Sequence, residues 1–206
     1  MKAKIHFLLT LIWSVAASAS LTILAAIPLF YALIDVFKLP ELTFLSRKTI
    51  GYNFDRLMAY LLNPSVKSLN MPDFKSSPAG LKHFVDVKQL FLLAMIVSLV
   101  LLVPALSFIK KKDYRQFYQG LKICLIIPVF IAVLALFGGF ESLFITFHQI
   151  FFRDATWLFD PATDPVINIL PERYFMLCFM IFGVIYLAFW SVLLLKTKRS
   201  FSNAKN

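Results

Sequence analysis

The sequence predicts an all-α polytopic membrane protein: four transmembrane helices, two extracytoplasmic segments with short interfacial helices, and both termini in the cytoplasm. Three observations carry this. Of the 206 residues, 60 % are apolar and only 16 % are charged, whereas soluble domains run near about 45–50 % and about 25 %. The apolar residues also fall in blocks of bilayer-crossing length instead of short periodic stretches. Finally, the Lys and Arg residues are divided unevenly between alternate connections. The chain, 1–206, is expected to form a single membrane domain.

The first span covers about 7–34. Lys2 and Lys4, an apolar run and the small residues Ala16, Ala17, Ser18, Ala19 and Ser20 imitate a secretory signal, but apolar sequence resumes at once with LTILAAIPLFYALI. A cleaved signal is followed by a polar mature start, so the helix is expected to be retained. Pro28 is placed to kink its outer end. The second span covers about 90–109, close to the length a bilayer requires. The third, about 123–140, is shorter, and Gly138-Gly139 marks a bend or a close helix contact. The fourth covers about 174–195, with Tyr186 and Trp190 in its second half. Backbone groups in hydrocarbon must be paired internally, so all four spans should be helical. None carries a charge near its middle, which argues against a pore or transporter.

Charge sets the orientation. Lys2, Lys4, Lys110, Lys111, Lys112, Arg115, Lys122, Lys196, Lys198, Arg199 and Lys205 share one side with a single acid, Asp113. On the other side ten basic and ten acidic residues cancel. The whole formal excess of +10 therefore lies on the cytoplasmic face. It is the positive-inside pattern, not a nucleic-acid footprint.

Two extracytoplasmic segments remain, about 35–89 and 141–173. In the first, Phe54, Leu57, Met58, Leu61 and Leu62 line one face of a helix that Pro64 ends. That face either lies on the membrane surface or packs against the bundle. Residues 65–80 read as a polar loop with Pro72 and Pro78. A helix starting near Leu81 and running into the second span puts His83 and Asp86 on one face. In the second segment, 140–152 is helical by pattern, with Glu141, Phe144 and His148 on one face. After Arg153 the stretch DATWLFDPATDPVINILPE is loop-like, punctuated by Pro161, Pro165 and Pro171, and its composition suits the headgroup zone.

Few residues can carry chemistry. Cys124 and Cys178 sit in apolar blocks and read as small buried hydrophobes. His6 lies at the cytoplasmic edge without an evident partner and reads as structural. His83 and His148 fall one in each extracytoplasmic segment, beside a membrane boundary. Imidazoles there serve as amphipathic anchors or as general acids and bases. Asp86, or Glu141 on the His148 face, is placed to orient a ring. A metal held by both histidines and a carboxylate is the rival, although no HExxH pattern is present. The GxSxG elbow of serine hydrolases is also missing, as is a glycine-rich phosphate loop. A reaction on that face, away from ATP, must draw on an energy-rich bond in its substrate, such as an acyl ester.

The stretch FHQIFFRDATWLFDPATDPVINILPERYF, from Phe147 to Phe175, is the most distinctive in the chain. Its His148, paired Phe151-Phe152, Trp157, Asp164, Pro171-Glu172 and Phe175 resemble the signature of a bacterial family of integral membrane lipoprotein intramolecular transacylases. The earlier His83-Phe-Val-Asp86-Val resembles that family's first histidine element, and the four-span layout agrees. The resemblance implies transfer of the acyl chain at glycerol position 2 of a diacylglyceryl lipoprotein onto the α-amino group of its N-terminal cysteine, giving an N-acyl lyso-lipoprotein. It further implies acid/base work shared by His83 and His148, and substrate contacts from Arg153, Trp157, Asn168 and Arg173, with oxyanion stabilisation among the roles open to the arginines and Asn168. Trp157 also reads as an interface anchor. Ester-to-amide conversion runs downhill, so neither cofactor nor metal is expected. The expected location is the bacterial cytoplasmic membrane, with the site on the extracytoplasmic side and membrane lipids and lipoproteins as partners. Two other readings remain open: a non-enzymatic membrane accessory or pH sensor, and a metal-dependent membrane hydrolase.

Overall fold

The computed structural model describes residues 2–203, and every regular element among them is helical. Lys205, counted above among the cytoplasmic cations, lies outside the described residues. Helix α1 spans Lys2–Leu33 without interruption, with Pro28 inside it. Two shorter helices follow, α2 (Leu39–Thr43) and α3 (Arg47–Leu62), and then α4 (Pro78–Val100) and α5 (Leu102–Lys110). A 3-10 turn at Asp113–Phe117 leads into α6 (Tyr118–Gly138), which is followed by α7 (Phe140–Phe151). A second 3-10 turn, Pro165–Asn168, precedes α8 (Glu172–Asn203). Helices α1, α4, α6 with its leading turn, and α8 are each long and apolar enough to cross a membrane.

Three boundaries differ from those the sequence predicts. Helix α4 begins at Pro78, three residues before Leu81. Ser77 caps it, its hydroxyl accepting the Gly80 N–H at 3.0 Å, and proline suits the first helical position because its missing N–H would have no partner there. The second apolar block is not one helix: it turns at Leu101, between α4 and α5. Pro104 offers no N–H to the carbonyl of Val100 and crowds it, which breaks the ladder there. Helix α6 stops at Gly138, short of Phe140, because Gly139 takes φ 80° and ψ 153°, a conformation open essentially to glycine alone. The glycine pair therefore marks a bend.

The chain divides into two compact units, 1–21 with 94–139 and 179–206, and 22–93 with 140–178. Helices α1, α4 and α8 each contribute residues to both. The first unit is built around the buried Trp190, Phe108, Leu121 and Leu193. The Trp190 indole N–H donates to Ser14 Oγ at 3.1 Å, and that of Trp13 donates to the Ser98 carbonyl at 3.0 Å. His6 is not partnerless, as the sequence suggested: its Nδ1 lies 3.4 Å from Asp113 Oδ2. The partner was hidden because it comes from the 3-10 turn before α6. Both cysteines are free, Cys124 buried and Cys178 half-buried.

The second unit holds α3 against the C-terminal part of α1. Ser46 caps α3 through the Thr49 N–H. Its Ile50, Phe54 and Leu57 are buried, and the Phe54 ring stacks on Phe30 of α1 at 3.7 Å between centroids. Of the two placements the amphipathic pattern allowed, the face is spent on protein packing. The loop after α3 is polar, as expected, and it is tied down. Buried Asn53 donates to Asp73 Oδ2 at 2.7 Å and accepts from the Asp73 N–H at 3.2 Å. Lys88 of α4 donates to the carbonyls of Asn63 at 2.9 Å and Val66 at 2.6 Å, with its ammonium 4.3 Å from the Tyr60 ring centre.

Candidate active site

Within the second unit, α4 and α7 bring His83 and His148 together, their ring centroids 5.8 Å apart. Both are buried, at 7 % and 8 % exposure. Aromatic rings surround them. Phe152 lies 4.6 Å from His83 and 5.3 Å from His148. Phe159 stands edge-on to His83 at 5.5 Å, while Phe144 and Trp157 lie 4.1 Å and 4.8 Å from His148. Phe152 thus packs against both imidazoles.

The two rings differ in their hydrogen bonds, and the difference sets their chemistry. His148 Nδ1 lies 2.8 Å from the carbonyl oxygen of Phe144, one turn earlier in α7. A carbonyl can only accept, so this nitrogen carries the proton and Nε2 holds the lone pair. Burial pushes the His148 pKa down, partly offset by that bond, so the ring stays neutral to a lower pH than an ordinary histidine. His83 Nδ1, by contrast, is buried with no hydrogen-bond partner. An unpaired buried polar atom costs about 1–3 kcal/mol, and an orphaned acceptor is tolerated better than an orphaned N–H. The economical tautomer of His83 therefore keeps its proton on Nε2.

The carboxylates anticipated from the sequence as orienting groups make no hydrogen bond to either ring among the described residues. Asp86 is half-buried and Glu141 exposed, and neither makes a hydrogen bond or ion pair among the described residues. Sharing a helix face places a residue near a ring but leaves a short carboxylate side chain pointing along its own helix. For His148 the i−4 backbone carbonyl, that of Phe144, is the group within reach of the ring. Of the polar candidates, Trp157 lies against His148. Arg153, Asn168 and Arg173 are exposed, and their side chains make no hydrogen bond or ion pair among the described residues. No three His, Cys, Asp or Glu among the described residues are grouped so as to hold a metal ion.

Asp164 is the residue whose position the sequence did not explain. It is 3 % exposed, accepts the Ser77 N–H at 2.8 Å through Oδ1, and accepts from Thr163 Oγ1 at 2.9 Å through Oδ2. Nearby, Lys82 of α4 pairs with Asp154, which also accepts from Thr156 Oγ1 at 2.5 Å. The first turns of α4, up to the residue before His83, are thereby clasped at Ser77 and at Lys82 to the segment that carries Trp157.

Residues 4–175, with both histidines and the Trp157 segment inside them, match the family model described as lipoprotein intramolecular transacylase Lit. The chain belongs to the Lit family. Three solved Lit structures from Bacillus cereus share its fold. One is described as the membrane integral lipoprotein intramolecular transacylase Lit; it is 29 % identical with a TM-score of 0.78, and the match covers 98 % of each chain. Two others carry a histidine replaced by arginine or by alanine. They are 26 % and 27 % identical, each with a TM-score of 0.71 over 98 % of this chain, and cover 94 % and 96 % of those chains. Comparison with curated proteins gives no match. This Lit-family chain is accordingly a multi-pass membrane enzyme of the lipoprotein transacylase class, as its signature residues implied.

Proposed function

We propose that this chain moves the acyl chain at glycerol position 2 of a diacylglyceryl lipoprotein to the α-amino group of the N-terminal cysteine, on the extracytoplasmic face of the bacterial plasma membrane. The observation that carries the reading is the buried, aromatic-walled pair His83 and His148, one ring presenting a lone pair and the other an N–H. The amine nitrogen attacks the ester carbonyl carbon, and His148 Nε2 collects the proton it releases. The His83 Nε2–H donates to the oxygen on which charge develops. Collapse of the tetrahedral intermediate breaks the bond to glycerol, whose oxygen takes the proton from His148. One ester and one amine become one amide and one alcohol, so no cofactor enters.

The substrate amine has a pKa of about 7.7–8.0, which is close enough to neutrality for a neighbouring imidazole to share its proton. Amine and ester belong to one molecule, and holding them at attack distance is worth up to about 7–11 kcal/mol. Trp157 lines the approach to His148, while Arg153, Asn168 and Arg173 meet the substrate's polar headgroup and peptide. Asp86 and Glu141 contribute to the polar rim. The extracytoplasmic side follows from the basic residues around Lys110, Lys111, Lys112 and Lys198, which keep both termini in the cytoplasm.

Mass spectrometry of N-terminal lipopeptides from a bacterial host with and without the chain tests this. The expected product is an acyl group on the cysteine amine and a free glycerol hydroxyl, lost in His83→Ala and His148→Ala although both proteins insert. His83→Gln, which keeps an N–H near the position of Nε2 but cannot titrate, should retain more activity than His83→Ala. Unchanged lipopeptides in the presence of the wild-type chain would favour the accessory or sensor role. Full transfer by both alanine variants would end the histidine mechanism.

A further inference from the structure

The carboxylate of Asp164 occupies the space that a side chain at position 80 would fill. A Cβ on Gly80 would fall 2.1 Å from Asp164 Oδ1 and 2.9 Å from its carboxyl carbon, where ordinary contact begins at 3.4 Å. That oxygen accepts the Ser77 N–H, and the Ser77 hydroxyl in turn accepts the Gly80 N–H. Gly80 and His83 are three residues apart and lie on one face of α4. Asp164 is itself held from behind: its N–H bonds to the Asp160 carbonyl at 2.7 Å, and Val166 and Ile169 beyond it are fully buried. A negative group at the first turn of a helix is also favoured by the helix dipole.

We propose that Asp164 is a positioning residue: seated against the bare backbone of Gly80, it fixes the rotation and height of the first turns of α4 and so sets the His83 ring against His148. The role rests on the transacylase reading for its functional consequence, but not for its geometry. Gly80→Ala would push the carboxylate off Ser77 or push the helix away. A misplacement of about 1 Å between reacting groups lowers a rate by about a hundredfold.

The test uses the full-length protein in detergent with a synthetic diacylglyceryl lipopeptide, following product by mass spectrometry and the histidine rings by nitrogen NMR. Gly80→Ala is expected to lower kcat by about a hundredfold, to leave KM near the wild-type value, and to shift the His83 ring signals, identified by their absence from His83→Gln. Asp164→Asn, whose amide oxygen still accepts the Ser77 N–H, is expected to keep most of the activity. Gly80→Ala combined with Asp164→Ser removes the clash and should recover part of the lost kcat and return the ring signals towards wild type. A double variant no better than Gly80→Ala overturns the proposal, as does a Gly80→Ala protein with wild-type kcat and spectrum. Should Gly80→Ala fail to fold, the double variant decides: folded with His83 signals near wild type supports the proposal, and unfolded overturns it. The spectra need no turnover, so a wild-type protein that makes no N-acyl product sinks the transacylase reading alone.

Discussion

Replacing His148 with asparagine separates the jobs of its two ring nitrogens. The asparagine amide N–H falls close to the position of Nδ1–H, so the bond to the Phe144 carbonyl, 2.8 Å in the wild type, can be kept. Nothing replaces Nε2. On the stability side, the loss falls mainly on the closest ring contacts from other turns and segments, with Phe144, Trp157 and Phe152 at 4.1, 4.8 and 5.3 Å. Aromatic pairs are worth about 0.5–1.5 kcal/mol each beyond their buried area, which gives a loss of about 2–4 kcal/mol. On the chemical side, a positioned general base contributes about 10²–10⁴-fold, equivalent to about 3–5 kcal/mol of barrier at 1.36 kcal/mol per factor of ten. The two effects are of similar size, so only a paired measurement distinguishes them. Single-turnover rates at saturating lipopeptide, read by mass spectrometry, report the barrier. Thermal unfolding in the same detergent confirms that the assayed molecules are folded at the assay temperature. Folded His148→Asn protein should be slower by at least about a hundredfold. A rate within tenfold of wild type would refute His148 as the proton acceptor.

Three further outcomes follow from the structure. Burial holds the His148 pKa below its unfolded value of about 6.5, so the unfolded state binds the extra proton first. Stability should therefore be flat above about pH 6.5 and fall as pH drops towards the folded pKa, and His148→Asn should flatten that fall in unfolding scans at stepped pH. Lys88→Met removes the donor to the Asn63 and Val66 carbonyls. It should cost about 1–3 kcal/mol, seen as a lower unfolding temperature and faster proteolysis in the loop after α3. EDTA treatment should leave acyl transfer intact, whereas inactivation reversed by zinc would revive the metal-hydrolase reading.

Much of the fold was legible because hydropathy is read along the chain. A block such as Tyr174 to Leu195 announces a span by its length alone, and Phe54, Leu57, Met58 and Leu61 announce an apolar helix face by their spacing. The boundaries were less visible where a distant group completes them. The start of α4 depends on Asp164 accepting the Ser77 N–H from across the unit. The break at Leu101 was written locally in Pro104, but an apolar block of the right length masked it. Hydrogen-bond partners were hidden for a related reason: Asp86 and Glu141 share faces with the histidines, yet His148 bonds the Phe144 carbonyl, because such bonds depend on atoms within about 3 Å and residue spacing says little at that scale.

For the site, the sequence by itself determined that His83 and His148 belong to two distant stretches of the chain, and that the Phe147–Phe175 stretch carries a family signature. Composition, periodicity and motif are one-dimensional, and these features are too. Only the tertiary structure decided that the two rings stand 5.8 Å apart, that one is locked by Phe144 while the other keeps an unpaired nitrogen, and that Gly80 is bare because Asp164 fills its place. The ring spacing and the Gly80–Asp164 fit depend on which atom of one helix meets which atom of another segment, and the Phe144 lock on the direction the packed ring takes along α7. Packing sets that, through directional contacts between residues far apart in the chain.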